Sequence, residues 1–242
     1  MSALGPHSVC SACDVRDRAL CGALPEAEAG RLHQIAYRRQ IPRGKLIYCS
    51  DQALESFSVI ISGVVKLVRA NSDGRQQIVG LQVPGDFVGR PFGELGPVMV
   101  EAATDLDLCC LSRKPFENLM QQQPVLERVL LQRTFDELDA ARQWMFVLGR
   151  LSARAKVASF LQHIAERSHR LGATESREFQ PRQVFELPLS RTEMGEYLGL
   201  AIETISRQIG QLKNEGIIET KGRRTMRVLD FPRLRARAEY EE

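Results

Sequence analysis

Three cysteines stand within twelve residues near the start of the chain: Cys10, Cys13 and Cys21, in the segment CSACDVRDRALC with C-x2-C-x7-C spacing. Crowding of this kind makes a poor core and a good ligand loop. Thiolates are soft donors, and at this spacing they select zinc or an iron–sulfur cluster. Three of them leave one coordination position to be filled from elsewhere. Two further cysteines, Cys109 and Cys110, adjoin in Thr104–Leu111, TDLDLCCL. Alternation along a strand puts Leu106, Leu108 and Cys110 on a core face and Asp105, Asp107 and Cys109 on the other. Cys109 is thus the preferred fourth ligand; Cys110 reads as a small buried filler and is the reserve. Cys49, in KLIYCSD, falls in an expected early hairpin. His7, His33, His163 and His169 show no ligand spacing and read as surface residues. A zinc site or an oxidisable thiol switch would use the same cysteines as a cluster. With no acid–base pair or cofactor motif beside them, an enzyme is not expected.

A second set of chemically suggestive residues lies in Ser190–Gly216, SRTEMGEYLGLAIETISRQIGQLKNEG. Ser190 is a good N-cap, with Thr192 and Glu193 in the first turn and Met194, Tyr197 and Leu198 forming one apolar face. That short helix should end at Gly199. Leu200 and Ala201 then lead into a second helix, where Ile202, Ile205, Ile209 and Leu212 repeat at i, i+3, i+7 and i+10 and are expected to be buried together. Glu203, Ser206 and Arg207 project from its other side. Arg offers two donors to guanine O6 and N7, Glu accepts from a base amino group, and Ser can do either. The pattern fits a helix-turn-helix whose second helix enters a major groove. Ile217–Asp230 follows as a hairpin with Lys221, Gly222, Arg223 and Arg224 at its turn, a cationic tip suited to phosphate.

These residues need elements to carry them. From about Gly30 to Lys114 run short β-rich stretches (RRQIP, KLIYC, SFSVIIS, VVKLVRA, QQIVGLQV, DFVG, VMVEAAT, LDLCCLS) separated by Pro- and Gly-containing turns, which implies an antiparallel roll or barrel. Pro124–Leu148 reads as a long helix. In it Leu131, Thr134, Leu138, Ala141, Met145 and Leu148 repeat at alternating spacings of three and four. Such a seam suits a parallel partner helix or a cover for its own domain. Leu130, Phe135 and Val147 lie off the seam and are expected to pack on the roll. LSARAKVASFLQHIAERSHRLG should form another helix, Glu175–Leu187 a loop with a short strand near Val184–Leu187, and the tail from Pro232 a short helix.

The 242 residues have room for two domains. The formal charge is only +3, yet the part from Gly149 onward carries 17 Lys and Arg against 13 Asp and Glu, so the basic excess lies with the helix-turn-helix. No apolar run approaches the ~20 residues of a membrane helix, and Met1–Val9 lacks a signal-peptide pattern, so a cytoplasmic protein without membrane partners is expected.

The motif ETISRQIGQLKNEG and the hairpin after it resemble the DNA-binding domain of the CRP/FNR superfamily of bacterial transcription regulators. The Glu-x-x-Ser-Arg pattern of Glu203, Ser206 and Arg207 resembles the FNR branch, whose members read a TTGAT-type half-site, and SGVVKLVRANSDGRQQIVGLQVPGDFVG resembles the superfamily's double-stranded β-roll. The resemblance implies an α+β architecture: a cysteine-rich segment (1–29), a cyclic-nucleotide-binding-like β-roll (30–120), a dimerisation helix (121–148) and a winged helix-turn-helix (149–242). It implies an oxygen-labile [4Fe–4S] cluster on Cys10, Cys13, Cys21 and Cys109, held by a homodimer that binds palindromic double-stranded DNA and meets RNA polymerase as an activator. The seven residues between Cys13 and Cys21, where many members have five, place the likeness in a longer-spaced FNR-like subgroup. In cyclic-nucleotide-binding relatives a Gly-Glu-Leu turn precedes an Arg-Ser or Arg-Thr pair. Here Gly93, Glu94 and Leu95 are followed by Pro97, Val98, Met99, Val100 and Glu101, so cyclic nucleotide is not expected.

Overall fold

The β-branched runs become eight short strands, because each alternates or doubles its apolar residues between turns. In the computed structural model, which describes residues 13–48, 55–93, 96–172, 184–222 and 224–239, the chain divides into two compact units, Met1–Asp139 and Ala140–Glu242.

In the first unit the strands are β1 (Ala36–Ile41), β2 (Leu46–Tyr48), β3 (Ser56–Ser62), β4 (Val65–Ala70), β5 (Gln76–Gln82), β6 (Phe87–Val88), β7 (Met99–Ala102) and β8 (Leu106–Ser112). They form two antiparallel sheets of order β1-β8-β3-β6 and β2-β7-β4-β5. Ile60 and Leu108 from one sheet share a core with Val65 and Val100 from the other. Two helices that apolar spacing did not announce flank this roll, α1 (Glu26–Gln34) before it and α2 (Arg113–Gln122) after it. Each is short and holds only two or three buried side chains: Ala29 and Leu32 in α1, and Phe116, Leu119 and Met120 in α2. Pro115 does not break α2, because it sits in the first turn where no helical N–H is needed.

Helix α3 spans Pro124–Arg150 and contains the boundary between the units. Proline at its first position suits that start. Leu126 is fully buried, and Val129 and Leu130 pack on the roll core. Farther along, Leu131 (56% exposed), Leu138 (42%) and Met145 (72%) face outward, as do Thr134 and Ala141, with Leu148 half-buried. Of the other two residues expected on the roll, Val147 is buried but belongs to the second unit, and Phe135 is 52% exposed. It lies four residues after Leu131, which puts it beside the seam rather than behind it.

The second unit adds α4 (Ala153–Gly172), β9 (Val184–Glu186), α5 (Arg191–Leu198), α6 (Ile202–Asn214), β10 (Ile218–Lys221), β11 (Thr225–Val228) and α7 (Phe231–Glu239). Its three strands pair in the order β10-β11-β9. Phe160, Leu161, Met194, Leu198, Ile205 and Leu234 are buried. Among the described residues no helix is long and apolar enough to cross a membrane.

A reciprocal cap starts α5. Ser190 Oγ accepts from the Glu193 N–H at 3.2 Å, and the Ser190 N–H donates to Glu193 Oε2 at 2.7 Å. Replacing Ser190 by Ala should lower the stability of the second unit by ~1 kcal/mol. Thermal unfolding followed by circular dichroism and by Trp144 fluorescence should show a lower midpoint for that unit, with cysteine accessibility in the first unit unchanged.

Candidate cysteine site and nucleic-acid interface

The stretch after Cys13 is too short and polar for a long helix and closes instead into two 3-10 turns, Arg16–Arg18 and Leu20–Ala23. Backbone bonds from Arg16 N to Cys13 O (3.0 Å) and Ala19 N to Val15 O (2.8 Å) hold the first. Val15 and Ala19, each 2% exposed, pack against Val59 of β3. This loop thereby covers a sheet face on which Cys109 and Val59 are register partners. Cys13, Cys21 and Cys109 line one cavity, walled by Val15, Ala19, Val59, Ile61 and Leu111 and, from α1, by Leu32 and His33. His33 is thus a half-buried wall of the cysteine cavity, not the surface residue its isolation in sequence suggested. Ala36, at the start of β1, also lines the cavity.

Cys110 points the other way. It is fully buried, its Sγ is 3.5 Å from Ser58 Oγ, and Ser58 Oγ is 2.8 Å from the Tyr48 hydroxyl. Burial pushes the Cys110 thiol above its ordinary range, and the Tyr48 phenol likewise. A thiol kept protonated is a poor metal donor. Cys10 and Cys49 lie outside the described residues. Among the described residues no three His, Cys, Asp or Glu side chains converge on a single ion position.

Glu94 and Leu95 also lie outside the described residues. The stretch that follows is drawn into β7, where Glu101 pairs with both Leu46 of β2 and Lys66 of β4 in register. Its carboxylate meets Lys66 Nζ at 2.9 Å.

In the second unit, the turn between α5 and α6 depends on two glycines. Gly199 caps α5 with φ +64°, a left-handed conformation natural to glycine. At Gly195 a Cβ would lie 2.5 Å from the Leu200 carbonyl, so only hydrogen fits beneath the turn. Ile205, Ile209 and Leu212 of α6 are buried, whereas Ile202 is 42% exposed. It opens the helix, ahead of the turns that pack, and so escapes the burial its spacing predicts. Glu203, Ser206 and Arg207 are all exposed on the outer side.

The hairpin after α6 joins β10 to β11, with Lys221 exposed near its tip. Arg224 is half-buried and its carbonyl accepts from Leu187 N at 2.9 Å. Arg227 bonds Glu219 across the hairpin at 3.3 Å. Arg223 lies outside the described residues. Two contacts in this unit carried no signal in the sequence. Glu215 bridges Arg154 (2.9 Å) and Arg237 (3.1 Å). Trp144 of α3 meets Tyr197 of α5 edge-on with ring centroids 4.8 Å apart, while Phe160 approaches the other flank of Tyr197 at 5.7 Å. Burial raises the Tyr197 phenol well above its ordinary range.

Known proteins carry the same two parts. Residues 38–123 match the cyclic nucleotide-binding domain and residues 155–237 the Crp-like helix-turn-helix domain. The transcriptional activator protein FnrL of Cereibacter sphaeroides is 44% identical over 225 residues, covering 93% of this chain and 90% of that protein. The nitrogen fixation regulation protein FixK of Bradyrhizobium diazoefficiens is 34% identical over 210 residues, covering 86% of this chain and 85% of that one. The structure of FixK2 from Bradyrhizobium japonicum superposes with a TM-score of 0.74 at 29% identity, over 86% of this chain and all of the other. A β-roll of this topology, a long helix and a winged helix-turn-helix whose second helix has an exposed polar face, together with these relatives, show that the chain is no enzyme but a DNA-binding member of the CRP/FNR family of transcription regulators.

Proposed function

We propose that this chain is an oxygen-responsive transcriptional activator that works in the cytoplasm as a homodimer on palindromic DNA. The observation that carries the sensing part is the cavity lined by Cys13, Cys21 and Cys109, with Cys10 three residues from Cys13 as the remaining donor. Its donor set is soft sulfur and its walls are apolar, which suits a [4Fe–4S] cluster. Zinc would draw on the same thiolates, and colour with iron content tells the two apart. When bound, such a cluster supplies an oxygen-labile cross-link between the loop and β8.

The chain's own residues do the rest. Leu131, Leu138, Ala141, Met145 and Leu148 form the dimer seam, supported by the exposure of the larger of them in the single chain. Two copies of α6 then address a two-fold TTGAT-type site, where Glu203, Ser206 and Arg207 read base edges. Lys221, Arg223 and Arg224 hold phosphate and set register. RNA polymerase engages the bound dimer, a reading supported by the activator name of the relative FnrL.

Anaerobic purification should give a coloured protein with about four irons per chain whose visible absorbance bleaches in air. Cys13→Ser and Cys109→Ser should lose the colour and the specific DNA binding together, whereas Cys110→Ser should keep both. Colourless protein holding one zinc would overturn the cluster.

On DNA, Arg207→Ala should remove ~1–3 kcal/mol of discrimination at one base position in each half-site. Lys221→Ala should instead weaken specific and random DNA alike and lower the salt slope by ~1 per subunit. Fluorescence anisotropy titrations over a salt series separate the two. Equal loss on both DNAs for Arg207→Ala would contradict base reading.

A further inference from the structure

The residues between Cys13 and Cys21 touch more than the cavity. Arg18, at the end of the first 3-10 turn, lies against the turn joining β5 to β6. Gly85 in that turn has φ +94°, and a Cβ there would stand 3.1 Å from both Cβ and O of Arg18. The left-handed φ favours glycine there, and a side chain would press on the loop. Above this contact lies Arg133 of α3. Its Nη1 donates to the Gly85 carbonyl at 3.2 Å and its Nη2 donates to the Arg18 carbonyl. One half-buried guanidinium thus ties together the cysteine loop, the roll and the long helix. One turn farther along α3, Glu137 accepts from Gln82 Nε2 at 2.8 Å, and Gln82 ends β5. Arg133 and Glu137 are i, i+4 neighbours, so both grip the same turn of the roll. The Arg133 grip also includes the loop, through the Arg18 carbonyl.

We propose that Arg133 is the positioning residue through which α3 senses whether the cysteine loop is folded over its cavity. This rests on the reading above, in which the thiolates hold a group whose loss loosens that loop. A planar fork with two fixed acceptors holds its helix in one rotational setting. When the loop leaves, the Arg18 carbonyl leaves with it, and one arm of the fork must find water instead. The stretch of α3 so released is the one carrying Leu131 and Leu138. The acceptor on the loop is a backbone carbonyl, so this contact depends on the fold of Cys13–Cys21.

The test uses full-length protein, loaded anaerobically or stripped of metal, with dimer dissociation measured by sedimentation velocity and loop opening by amide hydrogen exchange over residues 13–23. Arg133→Met should retain iron and visible absorbance, exchange its loop amides faster, and shrink the loaded-to-stripped ratio of dimer affinity about tenfold. Arg133→Lys, which keeps one cationic donor, should restore part of that ratio. Should Arg133→Met fail to fold, Arg133→Lys carries the same comparison as a partial loss. An Arg133→Met protein that responds to loading as the wild type does would overturn the assignment. So would one that weakens loaded and stripped dimers by the same factor, since that is a merely structural effect. A wild-type dimer indifferent to loading would overturn the sensor reading itself.

Discussion

Val59 and Cys109 stand side by side on β3 and β8, on a sheet face that Val15 and Ala19 close over. That packing is what makes a site. An uncovered Cys109 would be a surface thiol among Asp107 and Arg38, which bond each other at 2.8 Å. Covered, it shares an apolar cavity with two cysteines from a distant part of the chain. The covering is thin, however. Over the eleven residues from Cys13 to Ala23 only Val15, Ala19 and Leu20 are buried apolar side chains. So few buried side chains hold the loop only weakly against the backbone entropy lost on ordering it. A loop so weakly held suits the proposed function, in which a group on its thiols governs whether it stays folded.

The long helix stands in a similar relation to the roll. Its first turns are anchored by Leu126 in the core, and Arg133 and Glu137 fix the next turns by polar contacts. Leu131, Phe135, Leu138 and Met145 turn outward, whereas Val147 is buried. Polar contacts to carbonyls and an amide are directional, so they set the helix's rotation where apolar packing would tolerate a range. Farther along, within the second unit, Trp144 rests on Tyr197 of the first helix of the helix-turn-helix. The residue after it is Met145, the most exposed of the large seam residues. One helix therefore carries in sequence a loop contact, the exposed residues of the proposed seam and an aromatic contact to the first helix of the helix-turn-helix.

The parts legible in the sequence were those with a local physical rule behind them. Strand alternation separated Cys109 from Cys110 because successive side chains must face opposite sides. Ser190 with Glu193, and Gly199 after Leu198, announced α5 through cap chemistry that acts within four residues. The repeat of Ile205, Ile209 and Leu212 fixed the buried side of α6 and, by exclusion, the side bearing Arg207. What stayed hidden was whatever depends on residues far apart in the chain. Helix α1 has too little apolar periodicity to declare itself, so His33 could not be seen to face the cysteines. Phe135 was misjudged because periodicity gives an angle around a helix and not what waits there. The guanidinium of Arg133 meets a carbonyl 115 residues away, and no spacing rule reaches that far. One signal was present but unread: SFSVIIS is apolar on both faces, and a strand buried on both faces needs a second cover.

A regulator of the proposed kind needs a seam that is weak by design. Leu131, Leu138 and Met145 could drive association by burying their side chains, each contributing ~1.5–3 kcal/mol. With leucines at every seam position the two helices would pair whatever the loop did, and a coupling of ~1–3 kcal/mol could not separate them. Thr134 and Ala141 interrupt the seam. Threonine turns its hydroxyl back to the Leu130 carbonyl at 2.9 Å, and alanine has little surface to bury. Both residues lower the gain on pairing in the proposed dimer, so that the cost of bringing two chains together weighs more and a small change in helix setting shifts the population. The same residues that make the seam look unconvincing as a coiled coil are those that would let a loop of two 3-10 turns govern it.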